Sequence, residues 1–82
     1  MSQVSVRLFA AAAEAFGSSE TRLENVTDLN SLVDGLAAGR PEGLRLILEQ
    51  CSFFIDGEHR TSLNSPVPAG GRVDVLPPFA GG

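Results

Sequence analysis

Leu29, Leu32, Val33 and Leu36 recur at i, i+3, i+4 and i+7, a spacing that places all four on one side of a helix. A helix with a single apolar stripe has to lay it against another layer, and a chain of 82 residues has few places to find one. The rest of the apolar sequence supplies it in period two. Val4, Val6 and Leu8 alternate with Ser5, Arg7 and Phe9, Phe53 and Ile55 flank Phe54, and Val73 and Val75 flank Asp74. Half-buried strands are expected at each place, with a shorter one at Thr21-Arg22-Leu23 and a return from Glu58 to Thr61.

Local signals set the boundaries. Thr27 suits the N-cap of the main helix, with Asp28 in its first turn where the helix dipole favours an anion, and Gly39 is placed to stop it. Pro41 fits the first position of a second helix, whose stripe is Leu44, Ile47, Leu48 and Cys51. Ala10 to Phe16 is alanine-rich and closed by Gly17, a short helix. Asp56-Gly57 is a hairpin turn, and the stretch from Asn64 to Gly71, with Pro66, Pro68 and Gly70, reads as loop. The order is strand, short helix, strand, helical region and three strands. That predicts one α+β domain, a roll of the β-grasp kind with helices packed on one face of a mixed sheet. The pattern leaves the strand order open.

Composition narrows the function. At 43% hydrophobic and 20% charged residues the chain is globular, but a domain of this length has little room for a deep pocket. A net charge of -4 disfavours nucleic acid and anionic membranes as partners, and no apolar run approaches the ~18 residues that span a bilayer. The absence of a signal-like start and the single Cys51 make the cytoplasm the expected compartment. Cys51 reads as a small core residue on its helix stripe and His59 as an exposed strand residue. No metal-binding cluster or nucleophile-base set is evident, so independent catalysis is not expected. All six basic residues are arginine. Codon bias explains that, and a chain whose own carboxylate becomes activated also gains from having no amine to attack it.

The last six residues, Pro77-Pro78-Phe79-Ala80-Gly81-Gly82, are the most informative. Two prolines directly after a strand end its ladder and continue as a stiff extended segment. Domain organisation is therefore expected to be a body over residues 1–78 and a flexible diglycine tail over 79–82. The four tail residues span at most about 14 Å and end without side chains, so a narrow channel in another protein admits them. The Gly82 carboxylate is ionised near neutrality and a poor electrophile, so chemistry there needs activation, most simply as a mixed anhydride with AMP. A sulfur donor that displaces AMP leaves a thiocarboxylate, and the chain then serves as a group carrier. Two terminal glycines arise by chance in roughly 0.5% of chains. The diglycine therefore gains its meaning from the strand, the paired prolines and Phe79 before it.

Val6-Arg7-Leu8-Phe9-Ala10, Thr27-Asp28-Leu29, Ile55-Asp56-Gly57 and above all Gly70, Val73, Pro77-Pro78 and Gly81-Gly82 resemble the small-subunit family of molybdopterin synthase, the MoaD/ThiS group of ubiquitin-like sulfur carriers. The resemblance implies that Gly82, preceded by Gly81, is adenylated by a ubiquitin-activating-type enzyme using ATP and Mg, then converted to a thiocarboxylate by a sulfur donor protein. It implies insertion of the tail into a large synthase subunit, which holds the catalytic machinery, while this chain binds no cofactor or metal. Phe9, Leu76, Pro78, Phe79 and Ala80 are the residues expected to touch partners, and core packing is the competing reading of Phe9 and Leu76. Two departures stand out: Arg72 follows the loop glycines where the family often has an acidic residue, and lysine is absent. Carriers for cysteine, thiamine or another thio-metabolite share fold and tail. A protein modifier conjugated through Gly82 and a plain binding module are the readings from other classes.

Overall fold

The computed structural model describes residues 3–78. Strand β1 (Gln3–Leu8) leads through helix α1 (Ala10–Phe16) to β2 (Glu20–Glu24), then α2 (Leu29–Ala37), α3 (Glu42–Glu49), β3 (Ser52–Ile55), β4 (Glu58–Arg60) and β5 (Arg72–Leu76). The five strands form one mixed sheet in the order β2-β1-β5-β3-β4. Only the β1–β5 pair is parallel, with Val6 opposite Val73 and Leu8 opposite Val75; the other three pairs are antiparallel. This is the expected β-grasp architecture, with the last strand running in the middle.

Alternation along the strands decides which face is buried. Val4, Val6, Leu8, Phe53, Ile55, Val73 and Val75 point to the helices and are at most 5% exposed. They join Leu29, Leu32, Val33 and Leu36 of α2 and Leu44 and Leu48 of α3 in a single core, to which α1 contributes Ala12 and Phe16. Removing a side chain of this size from water contributes about 1.5–3 kcal/mol, so the inner rows of β1 and β5 account for much of the stability. Ile47 and Cys51, expected on the α3 stripe, are half-buried, and Cys51 lies past the helix end and packs on the edge of the core.

Helix starts differ from expectation by one residue. Asp28, not Thr27, caps α2: its Oδ1 accepts from the Ser31 amide (2.8 Å), and the Ser31 hydroxyl accepts from the Asp28 amide (3.1 Å). A carboxylate outcompetes a hydroxyl at the positive end of a helix, and Ser31 completes the reciprocal pair. Pro41 likewise precedes α3 as its cap rather than opening it. At the other end of α1, Arg40 donates to the Phe16 carbonyl (2.7 Å) and lays its guanidinium 4.0 Å from the centre of the Phe16 ring.

The stretch expected as loop, 64–71, makes more contacts than its composition implies. The carbonyls of Ser65 and Leu63 accept from the Leu29 and Asn30 amides, two donors that a helix start leaves without intrahelical partners. Val67 is buried in the core. The loop then feeds β5 through Gly71, where an added Cβ would lie 2.9 Å from the Pro68 carbonyl and 3.2 Å from the Asp56 carboxylate. Asp56 and Gly57 form the β3–β4 turn with φ of 50° and 88°, the left-handed pair of a tight two-residue hairpin. The Asp56 carboxylate accepts from the Arg72 amide (2.9 Å), which pins the start of β5 to that hairpin.

Two substitutions of opposite sign test these features by thermal unfolding. Gly71→Ala is expected to cost about 1–3 kcal/mol, since both neighbours of the new methyl are fixed by hydrogen bonds. Ala10 has a left-handed backbone, φ 51°, where the chain turns from β1 into α1. Ala10→Gly is expected to raise stability by about 0.5–1 kcal/mol, a few degrees in midpoint for a domain of this size.

Candidate functional site

β5 is hydrogen-bonded on both sides, to β1 and β3, so the chain that follows Leu76 leaves from the middle of the sheet. Pro77 and Pro78 end the ladder as expected; Pro77 is half-buried and Pro78 exposed. Phe79, Ala80, Gly81 and Gly82 lie outside the described residues, so the terminal part of the expected site has no geometry here.

The remaining two candidates come together. The Phe9 amide donates to the Val75 carbonyl (3.1 Å), and the parallel register continued by one residue sets Phe9 beside Leu76. Leu8 and Val75 face the core, so Phe9 and Leu76 fall on the opposite, uncovered face of the sheet. Neither belongs to the core: Phe9 is 38% exposed and Leu76 half-buried. The competing assignment of Phe9 to the interior is corrected by this geometry. Its cause is the alternation of β1, which buries Leu8 and sends Phe9 to the opposite face, just before the left-handed backbone at Ala10.

Beneath the ring lies a pair of charges that strand patterning does not signal. Arg7 donates to both carboxylate oxygens of Asp74, at 3.1 and 3.3 Å, and its guanidinium stands 5.6 Å from the Phe9 ring centre. The hydrogen bonds and charge of Asp74 raise the Arg7 pKa above its ordinary value. Arg72 reaches the same carboxylate at 3.9 Å. Arg7 and Asp74 are directly opposite in the β1–β5 register, so the pair becomes legible once the strand order is known. On β3 and β4, Phe54 and His59 stack with ring centres 4.9 Å apart on the same face.

Other titratable groups offer no catalytic arrangement among the described residues. The Cys51 thiol donates to the Ile47 carbonyl, and burial pushes its pKa up, away from the reactive thiolate. No group of three potential metal ligands occurs among the described residues, and none of the described helices is long and apolar enough to cross a membrane.

A search of curated proteins finds no match in sequence. Solved structures match over nearly the whole chain. Small archaeal modifier protein 1 (SAMP1) from Haloferax volcanii superposes with a TM-score of 0.77 at 24% identity, covering 98% of this chain and 99% of that one. A putative molybdopterin converting factor, subunit 1, from Pyrococcus furiosus gives 0.77 at 20% identity, covering 96% and 100%. A chain of the complex of subunits 1 and 2 of the Helicobacter pylori molybdopterin-converting factor gives 0.68 at 28%, covering 98% and 99%. The ThiS family matches residues 6–82. With the match running from within β1 through the central last strand to the diglycine, the chain belongs to the ThiS family and has the β-grasp fold shared by ubiquitin-like sulfur carriers and modifiers.

Proposed function

We propose that this protein carries sulfur as a thiocarboxylate on Gly82 and donates it to molybdopterin synthesis as the small subunit of molybdopterin synthase. The observation that carries the reading is the family match extending to Gly82 from a body in which β5, fixed on both sides, leads straight to Pro77-Pro78. In the first step a Gly82 carboxylate oxygen attacks the α-phosphorus of ATP, held with Mg by the activating enzyme, and pyrophosphate leaves. In the second, hydrosulfide delivered by a sulfur donor protein attacks the acyl carbon, AMP leaves with the bond electrons, and a proton is released. The resulting thiocarboxylate sits on the tail 79–82, short enough to enter the large subunit while the body stays outside. Catalytic groups belong to these partners, and this chain supplies the carried group.

The likeness to subunit 1 of molybdopterin-converting factors, one of them in complex with subunit 2, supports this choice of pathway and partner. The Phe9–Leu76 patch then docks on the large subunit, with Pro78, Phe79 and Ala80 continuing the contact into its channel. The likeness to small archaeal modifier proteins supports a second reading, conjugation of Gly82 to amines of target proteins.

Intact mass separates the two. Incubation with the activating enzyme, ATP and sulfide is expected to add about 16 Da, oxygen replaced by sulfur, and deletion of Gly82 to abolish the gain without moving the melting temperature. Discrete larger adducts on other proteins favour the modifier, and full sulfur transfer by the truncated chain refutes both. At the patch, Phe9→Asp is expected to weaken binding to the large subunit by at least about tenfold in calorimetry, with an unchanged circular dichroism spectrum.

A further inference from the structure

On the uncovered face of the sheet, the strand registers align Arg22, Ser5 and Arg72 side by side on β2, β1 and β5. Neighbouring strands lie about 4.8 Å apart, so the two arginine Cα atoms are about 10 Å apart with a serine between them. The three residues line an open groove of about 390 Å³, and Arg7 and Glu20 form its next rung. The arginines differ in engagement. Arg7 is held by two hydrogen bonds to Asp74, while Arg72, 53% exposed, only reaches the same carboxylate at 3.9 Å. Arg22 has no ion-pair partner among the described residues.

We propose that this groove docks an acidic segment of a partner protein, with one carboxylate seated over Ser5 between the guanidiniums of Arg22 and Arg72. Charge complementarity carries the assignment. Three arginines and one carboxylate, Glu20, line the groove, so it is locally positive on a chain whose net charge is -4. A guanidinium presents a planar fork that matches a carboxylate, and a carboxylate between two forks has a donor for every lone pair, with the Ser5 hydroxyl beneath. Glu20, Glu24 and Asp74 border the site, which disfavours a long polyanion: its flanking charges would meet carboxylates on both sides. The groove is also too open to retain a lone anion against solvent and salt, whereas a peptide adds contacts along its length. Arg72 opens the strand that ends at Pro77-Pro78, so a partner lying along β5 passes over this groove. The site belongs to the body of the domain and stands whether Gly82 carries sulfur, conjugates or does neither.

The test is a titration of the isotope-labelled full chain with a blocked peptide of alternating glutamate and serine, followed residue by residue by NMR. Shifts are expected to concentrate at Ser5, Arg22 and Arg72 and to fade as salt is raised. The double variant Arg22→Gln/Arg72→Gln is expected to bind about fivefold more weakly, and Arg60→Gln to bind unchanged. All three positions are exposed, and each variant's own spectrum verifies its fold. The proposal is overturned by no binding, by shifts spread evenly over Arg40, Arg45 and Arg60, by an unchanged double variant, or by inorganic phosphate binding as tightly as the peptide.

Discussion

The return of β5 to the middle of the sheet, parallel to β1, is the interaction on which the rest of this molecule depends. Its partners are separated by nearly the whole chain, Leu8 facing Val75 and Ser5 facing Arg72. Without it the sheet falls into two two-stranded pieces, β1 with β2 and β3 with β4, and pairs of that size are marginal in water. With it Val73 and Val75, both fully buried, complete a continuous apolar floor beneath α2 and α3. The closure of so long a loop costs entropy that grows only slowly with length, and the buried rows on both strands offset it. Several backbone groups guide the strand into place. Ser5 donates to the Gly71 carbonyl, Gly70 to that of Gln3, and the Asp56 amide to that of Arg72.

That placement also determines what the surface can do. A last strand at a sheet edge would deliver the following residues from a fraying margin; a central one delivers them from the best-anchored part of the fold. The same pairing sets Phe9 beside Leu76 and Arg7 against Asp74, so an apolar patch and a fixed ion pair flank the exit of the chain. Helices cover only one face of the sheet. The other keeps its alternate side chains in solvent, where they are free to carry recognition.

Element identity was legible because it is a local property. Period two at Val4, Val6 and Leu8, the stripe on α2, the closing Gly17 and the turn at Asp56-Gly57 each follow from a few neighbouring residues. Helix starts slipped by one because Thr27 and Asp28 are both good caps, and the choice is made by Ser31 reaching back. What stayed hidden is non-local. The strand order, the Arg7–Asp74 pair and the loop carbonyls that satisfy the start of α2 all join segments far apart in the chain. Phe9 is the intermediate case: alternation places it outward, but its neighbours there, Arg7 and Leu76, follow only from the β1–β5 register.

Among proteins that share one fold, discrimination between partners has to come from side chains that the fold does not consume. Most arginines here are consumed. Arg40 holds the end of α1, Arg45 bridges Asp34 and Glu49, Arg60 pairs with Glu58, and Arg7 secures β1 to β5 through Asp74. His59 is engaged with Phe54, and Cys51 with the edge of the core. Arg22 and Arg72 remain, one without an ion-pair partner among the described residues and the other barely within reach of a carboxylate already bonded twice. Exposed long side chains without structural duties are cheap to change without loss of fold. They are therefore where a small domain can acquire an identity, and Arg72, exposed at the head of the central strand, is the clearest such position in this chain.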